Sequence, residues 1–299
     1  MSAPTLADYR WLSERRARTA RQVSLITVAL NARRTLARTI ESVQAQSCAD
    51  LEHVVVDGGS TDGTPELLRG ALRPQDVWLS EPDRGISDAF NKGIALAGGT
   101  YLQFINADDW LSPGQLALAV AGLEASGADF VFGDLIFYRA GRPEFRFCGD
   151  ADYRLTIRRR MPTLNHPTVL VRRAAFERIG LFDLRYRCAM DYDWFLRLHL
   201  AGGRGVYLPE LVGHMNHDGI SNLDYARTYR EVEAIAVRHG YDPRRARLEC
   251  LLRLAKTGVA RRLQTTAQPL YSAIRRRINR SYAPLHATPA ATRGPRDAR

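Results

Sequence analysis

"LEHVVVDGGSTDGT" (residues 51–64) decides the fold. Its first seven residues read as a buried strand, and the "TPELLRG" that follows the turn reads as a helix. Between them Gly58, Gly59 and Gly63 let the backbone turn tightly and approach a ligand closely. The same rhythm recurs on both sides. "VSLITVAL" (23–30) precedes a helical stretch through Ser47, "DVWLS" (76–80) precedes "ISDAFNKGIALAGG", and "YLQFI" (101–105) precedes "SPGQLALAVAGLEASG". Strands separated by crossover helices imply a parallel sheet covered on both faces, a doubly wound α/β layout.

After residue 128 the rhythm breaks into shorter pieces. "DFVFGDLIFYRA" and "RPEFRFCG" read as strands, a basic "IRRRMP" follows, "TVLV" is another strand, and helices are expected near 173–180 and 191–201. This half is expected to be an α+β extension on the same sheet. The boundaries drawn are a polar arm over 1–21, the α/β half over 22–128, the second half of the same domain over 129–240, a basic amphipathic helical tail over 241–285, and a disordered end over 286–299.

With 299 residues, 45% apolar and 25% charged, the chain has the composition of an ordinary soluble globular protein. Cys48, Cys148, Cys188 and Cys250 form no CxxC pair, so neither a zinc site nor a disulfide framework is indicated. The Arg-rich N-terminus lacks an apolar core for a secretory signal, and no apolar run is long enough to span a bilayer; a cytoplasmic location is expected. The net charge of +11 is uneven: residues 241–299 hold 14 basic and 3 acidic side chains, and the remainder is balanced at 29 of each. A neutral body with a basic appendage points to an anionic surface as the appendage's partner.

Polar residues cluster just past each of the four strands of the first half. Asn31 follows the first, Asp57 and Asp62 flank the second turn, "EPDRG" with Asp83 and Arg84 follows the third, and "NADD" (106–109) ends the fourth. In open α/β sheets the carboxyl edge of the parallel strands forms the ligand crevice, so the clusters describe one acidic cleft. Burying an unpaired carboxylate is costly, and Asp108 and Asp109 stand directly behind a core strand. Adjacent oxygen ligands of this kind suit Mg²⁺ or Mn²⁺, with a diphosphate completing the coordination. No GxGxxG or GxxxxGK[ST] pattern follows any strand, which argues against dinucleotide and P-loop sites.

These residues resemble the family 2 glycosyltransferases of the GT-A fold, in particular bacterial members that build surface polysaccharides. The likeness runs from about Val23 to Ser221, and "VVVDGGSTDGT", "EPDRGISDAFNKGIALAGG" and "NADD" carry it, in order and at the expected separations. The resemblance implies a nucleotide-sugar-binding first half and an acceptor-binding, catalytic second half. It implies that Asn31 and Asp57 line the nucleoside pocket and that Asp83 meets the base. "NADD" stands where the family has its DxD metal motif, with Asn106 at the first position, Asp108 binding the metal directly and Asp109 beside it. "MDYDWFLRL" (190–198) resembles the segment with the catalytic base; Met190 replaces the first acid, leaving Asp191 as the matching base and Asp193 as second choice. "HDGIS" (217–221) resembles a loop that closes over the diphosphate, with His217 as an extra contact.

The implied reaction is a metal-dependent, inverting transfer of a sugar from a nucleoside-diphosphate sugar to a glycan or lipid-linked acceptor, with a nucleotidyltransferase or other nucleotide-sugar enzyme as the alternative. Structural roles compete at several positions. Asp57 and Asp62 can cap turns and the helix at Thr64, Asp193 can pair with Arg197 one turn away, and Lys92 can lie on a solvated helix face instead of contacting the donor. His166, His214, Trp110 and Trp194 have packing roles as alternatives to contacts with substrate. In the tail, Leu270, Ile274, Ile278 and Tyr282 fall on one helical stripe among arginines, suiting a peripheral position on an anionic membrane surface at the inner face of the cell membrane. Specific nucleic-acid binding is disfavoured, because the excess charge lies in the tail and the cleft is acidic.

Overall fold

The computed structural model describes residues 3–15, 19–48, 50–139, 141–216, 224–266 and 282–283. After a 3₁₀ turn (Leu6–Tyr9) and helix α1 (Arg10–Arg15), the first half alternates β1 (Arg21–Ala29), α2 (Leu36–Gln44), β2 (Leu51–Asp57), α3 (Thr64–Ala71), β3 (Val77–Ser80), α4 (Ile86–Leu96) and β4 (Gly99–Asn106). The pairings β1–β2, β2–β3 and β1–β4 are all parallel, so the strands lie in the order β3, β2, β1, β4. All seven residues of β2 are buried. Alternate side chains of the strands serve different faces: Ile26, Val28, Val54, Val56, Leu102 and Phe104 pack with α4, whereas Val23, Leu25, Leu51 and Ile105 join a core on the other side. A strand buried on both faces reads as a continuous apolar run.

The second half comprises β5 (Trp110–Leu111), α5 (Gln115–Ser126), β6 (Phe130–Arg139), β7 (Arg142–Phe147), α6 (Tyr153–Thr156), β8 (Leu170–Arg172), α7 (Arg173–Ile179), α8 (Met190–Leu200), β9 (Gly205–Asn216), α9 (Tyr225–Arg238), α10 (Pro243–Thr266) and β10 (Tyr282–Ala283). It joins the first through β8, which runs antiparallel to both β4 and β6. The result is one mixed sheet in the order β10, β7, β6, β8, β4, β1, β2, β3, with β9 paired parallel to β6 and antiparallel to β5. The expected α/β half with an α+β extension on the same sheet is thus what the chain forms.

Helix α4 is the hub. Ten of its eleven residues are buried, and Gly93 lies against Ile26 where a Cβ would collide. Its polar side chains fasten other segments: Ser87 Oγ donates to the Tyr186 carbonyl (2.7 Å), Asn91 donates to the Phe182 carbonyl and accepts from its N–H (2.9 and 3.0 Å), and Asp88 accepts from Tyr9 Oη (2.5 Å). The N-terminal segment, expected as a polar arm, is therefore docked, with Tyr9 and Leu12 both in the core.

The expected helical tail begins as α10, and no helix among the described residues is long and apolar enough to cross a membrane. Tyr282 corrects the proposed stripe: it sits in β10, antiparallel to β7 and opposite Phe147, because its backbone completes an edge-strand ladder. Leu270, Ile274, Ile278 and residues 286–299 lie outside the described residues.

Because the Tyr9 hydroxyl bonds a buried carboxylate, Tyr9→Phe is expected to lower stability by about 1–2 kcal/mol. Urea unfolding of the full chain measures this; an unchanged midpoint would show that the docked segment adds nothing to the fold.

Candidate active site

Register places the polar clusters on one edge. Ala29 pairs with Asp57 and Asp57 with Ser80, while Val28 pairs with Asn106. The strand order reverses between β1 and β4, and open α/β sheets bind ligands at such a point, outside the carboxyl ends of the strands.

Three of the loops are stitched together. Asn31, the one described non-glycine residue with positive φ (+50°), accepts from the Thr61 N–H (3.0 Å), and its own N–H donates to Ser60 Oγ (2.6 Å). Asp57 is fully buried and accepts from the Ser60 N–H (3.0 Å), from Ser60 Oγ and from Ser80 Oγ (2.7 Å). Asp62 accepts from the N–H of Arg33 and from both the N–H and hydroxyl of Thr64, the last of which most lowers its pKa. Asp83 accepts from the Gly85 N–H (2.7 Å), and its other oxygen occupies the space a side chain at position 58 would need, so Gly58 is required by close approach. The carboxylates of Asp57 and Asp62 thus brace the loops from within.

Lys92, expected either in the donor pocket or on a solvated helix face, is not solvated. It is buried, donates to the Pro82 carbonyl (2.9 Å) and pairs with Glu81 (2.8 Å), supporting the "EPD" turn from behind.

The "NADD" turn carries the least compensated charge. Asp109 is 1% exposed; Asn106 Nδ2 donates to one oxygen (3.2 Å) and the Asn216 N–H to the other (3.3 Å). Burial, and next the nearby Asp108 carboxylate, hold its pKa well above the usual carboxylate range. Asp108 is half-buried, and burial raises its pKa too. Asn216 Nδ2 donates to the Asp108 carbonyl (2.7 Å) and Thr39 Oγ1 to that of Asp109 (2.7 Å), so β9 and α2 clamp the turn. Among the described residues no three His, Cys, Asp or Glu side chains form a metal-holding group. The donor set here is two carboxylates and an amide. That set fits a hard divalent ion that takes its remaining ligands from water and substrate phosphate.

Trp110 follows immediately. The Arg38 guanidinium lies 3.2 Å from one of its ring centroids, and His214 stacks on the indole at 5.2 Å while bonding Ser112 Oγ (2.8 Å). Burial lowers the His214 pKa to about 4, leaving a neutral ring. His166 is likewise held down to about 4 by burial and stacks on Phe104, and Trp194 is a core residue against Phe176. His217 lies outside the described residues.

Asp191 and Asp193 have opposite environments. Asp193 is buried between Arg197 (2.8 Å) and His239 (3.2 Å), and Arg197 also donates to the carbonyls of Ile179 and Leu181. His239 and Arg197 hold the Asp193 pKa below the ordinary value despite burial. Asp193, the second-choice base, is thus bonded to partners inside the protein. Asp191 stands in the first turn of α8, is partly buried, accepts from the Tyr192 N–H (2.8 Å), and has its pKa pushed up to about 6 by burial.

Two contributors escaped sequence reasoning. Glu231 of α9 accepts from the N–H groups of Arg187 (3.1 Å), Cys188 (2.8 Å) and Ala189 (2.9 Å), fixing the turn that delivers Asp191. Asn216 ends a strand that Pro209 and Gly213 disguise, and its only sequence cue is its place just before "HDGIS". Beside the Asp191 turn lies an open recess of about 500 Å³, lined by Arg185, Tyr186, Asp224, Arg227, Arg230 and Glu231.

The parallel half, with its polar sheet edge, and the mixed half joined to it through β8 are the architecture on which comparison with known proteins bears. The sequence model of Glycosyl transferase family 2 matches residues 24–180, and the chain belongs to that family. A PGL/p-HBAD biosynthesis glycosyltransferase of Mycobacterium bovis (strain BCG / Pasteur 1173P2) is 36% identical over 180 residues, covering 58% of this chain and 68% of that protein. The mannosyltransferase PcManGT from Pyrobaculum calidifontis, solved with GDP-Man and Mn²⁺, shares the fold with a TM-score of 0.59 at 19% identity, over 90% of this chain and 85% of that one. S. aureus TarS 1-349 in complex with UDP-GlcNAc superposes with a TM-score of 0.56 at 18% identity, over 75% and 69% of the two chains. The enzyme is a glycosyltransferase, and the nucleotidyltransferase alternative falls away.

The raised Asp191 pKa fixes the sign of a stability effect. A carboxyl whose folded pKa, about 6, exceeds its unfolded value of about 3.9 favours folding at low pH and loses that contribution as pH rises through the folded value. Asp191→Asn has no such loss. Its melting temperature should match the wild type near about pH 4 and exceed it by a few degrees near about pH 8, on the order of 2 kcal/mol. A variant less stable than wild type at the higher pH would show the carboxylate to be well solvated or paired.

Proposed function

We propose that this enzyme is a metal-dependent, inverting transferase that moves a sugar from a nucleoside-diphosphate sugar to a glycan or lipid-linked acceptor in cell-surface polysaccharide synthesis. The observation that carries the reading is the convergence of Asn31, Asp83 and the "NADD" turn on one sheet edge at the β1/β4 reversal. The names of relatives support the biological setting: the mycobacterial enzyme above, and a succinoglycan biosynthesis protein, ExoO, of Rhizobium meliloti, 27% identical over 218 residues.

In this reading Asn31 and Asp83 contact the nucleoside, with Asp57 shaping their loops from behind. Asp108, with Asp109 and Asn106 beside it, would hold a Mg²⁺ or Mn²⁺ ion. A bound divalent ion supplies Lewis acidity that stabilises the leaving diphosphate. Asp191 accepts the proton of the acceptor hydroxyl as its oxygen bonds to the anomeric carbon and the bond from that carbon to the diphosphate breaks; attack opposite the leaving group inverts the centre. A base with a pKa near 6 is deprotonated at neutral pH yet basic enough to share a proton in the transition state. The recess beside Glu231 is the side from which the acceptor approaches, and Glu231 holds the base in place.

Asp191→Asn is expected to lower kcat/KM by about 10²–10⁴ in a nucleotide-release assay, and the wild-type profile should rise with pH through about 6. Full activity in the variant would refute the assignment of the base. Asp108→Ala or chelator treatment is expected to abolish Mn²⁺-dependent binding of the donor nucleotide in calorimetry; undiminished binding after both would refute metal dependence. Glu231→Ala should cut kcat by about tenfold or more with donor KM little changed, whereas a purely structural residue would shift the melting temperature alone.

A further inference from the structure

Helix α10 has two unlike faces. One packs on α9: Ala246 and Cys250 are buried, Thr257 Oγ1 bonds Tyr229 Oη (2.9 Å), and the Arg253 guanidinium lies 5.9 Å from the Tyr229 ring centroid. The other carries Leu248, Leu251, Leu252 and Val259, which are 57%, 47%, 61% and 58% exposed. With Ala255, also exposed, they recur at helical spacing and make one apolar stripe. Four of the nine exposed large apolar side chains of the described residues stand on this one face.

The stripe is bordered by cations. Arg244, Arg245, Lys256 and Arg262 are all exposed. The only acid in the helix, Glu249, is half-buried and accepts from Tyr241 Oη (3.0 Å), so no carboxylate of α10 faces outward. Arg159, also exposed, adjoins α10 at Ala246, Glu249 and Arg253.

We propose that this face of α10 docks on an anionic lipid surface. Charge complementarity selects that occupant. An apolar stripe between rows of Arg and Lys matches the boundary between acyl chains and negatively charged headgroups, where the aliphatic side chains enter the apolar layer and the cations meet phosphate. A second copy of the chain would instead bring two cationic borders together, and the like charges would repel. The surface lies within the basic tail over 241–285 but upstream of the 269–282 stripe that the sequence singled out, and it depends on none of the catalytic assignments.

Sedimentation of the full-length protein with vesicles tests this. Binding is expected to vesicles of equal parts phosphatidylglycerol and phosphatidylcholine, to be absent with phosphatidylcholine alone, and to fall as salt rises. Leu248→Ser/Leu252→Ser/Val259→Ser is expected to weaken binding by about tenfold or more while keeping the melting temperature, because these side chains touch solvent rather than core. Arg244→Ala/Arg245→Ala/Lys256→Ala, a second variant that leaves the stripe intact, should lose the preference for anionic lipid. Three results would overturn the proposal: no sedimentation at low salt, undiminished binding by both variants, or light scattering showing a dimer that the serine variant dissolves.

Discussion

The Asp109 carboxylate is buried against the end of a core strand and held by two amide N–H groups. Burying a carboxylate costs several kcal/mol or more, and a hydrogen bond to a charged group returns about 1.5–3 kcal/mol. The two terms nearly balance, and the adjacent Asp108 tips them toward the protonated form. The turn is therefore held by its clamps, Asn216 from β9 and Thr39 from α2.

The remainder of the site follows from how α4 is buried. A helix with polar side chains in the core must satisfy them, and Ser87 and Asn91 do so on the segment 182–186 that leads to α8. The loop after β3, which carries Asp83, and the turn that carries Asp191 are thereby tied to the same helix. Glu231 completes the link from the other side by gathering three consecutive N–H groups. The polar sheet edge and the Asp191 turn are fixed relative to each other by buried hydrogen bonds.

Much of this was legible in the residues. Continuous apolar runs followed by Gly, Asp and Asn marked the parallel half and its edge, because a strand covered on both faces leaves polar side chains only at its ends. The second half was less legible. Pro209 and Gly213 interrupt β9, and α9 offered no motif, so Asn216 and Glu231 went unseen. The partners of Lys92, the Pro82 carbonyl and Glu81, were not legible either, because helix position alone does not say what a lysine's ammonium will reach.

By itself the sequence determined the alternation of strand and helix, the edge on which the polar residues collect, and the family. Tertiary structure alone decided which carboxylates are internal braces and which keep unbalanced charge. Asp191 and Asp193 stand two residues apart, yet Asp193 is bonded by His239, 46 residues away, while burial raises the Asp191 pKa to about 6. Asp109 depends on Asn216, 107 residues distant. Charge state is set by the groups within a few ångströms, and chain spacing does not say which distant groups those will be.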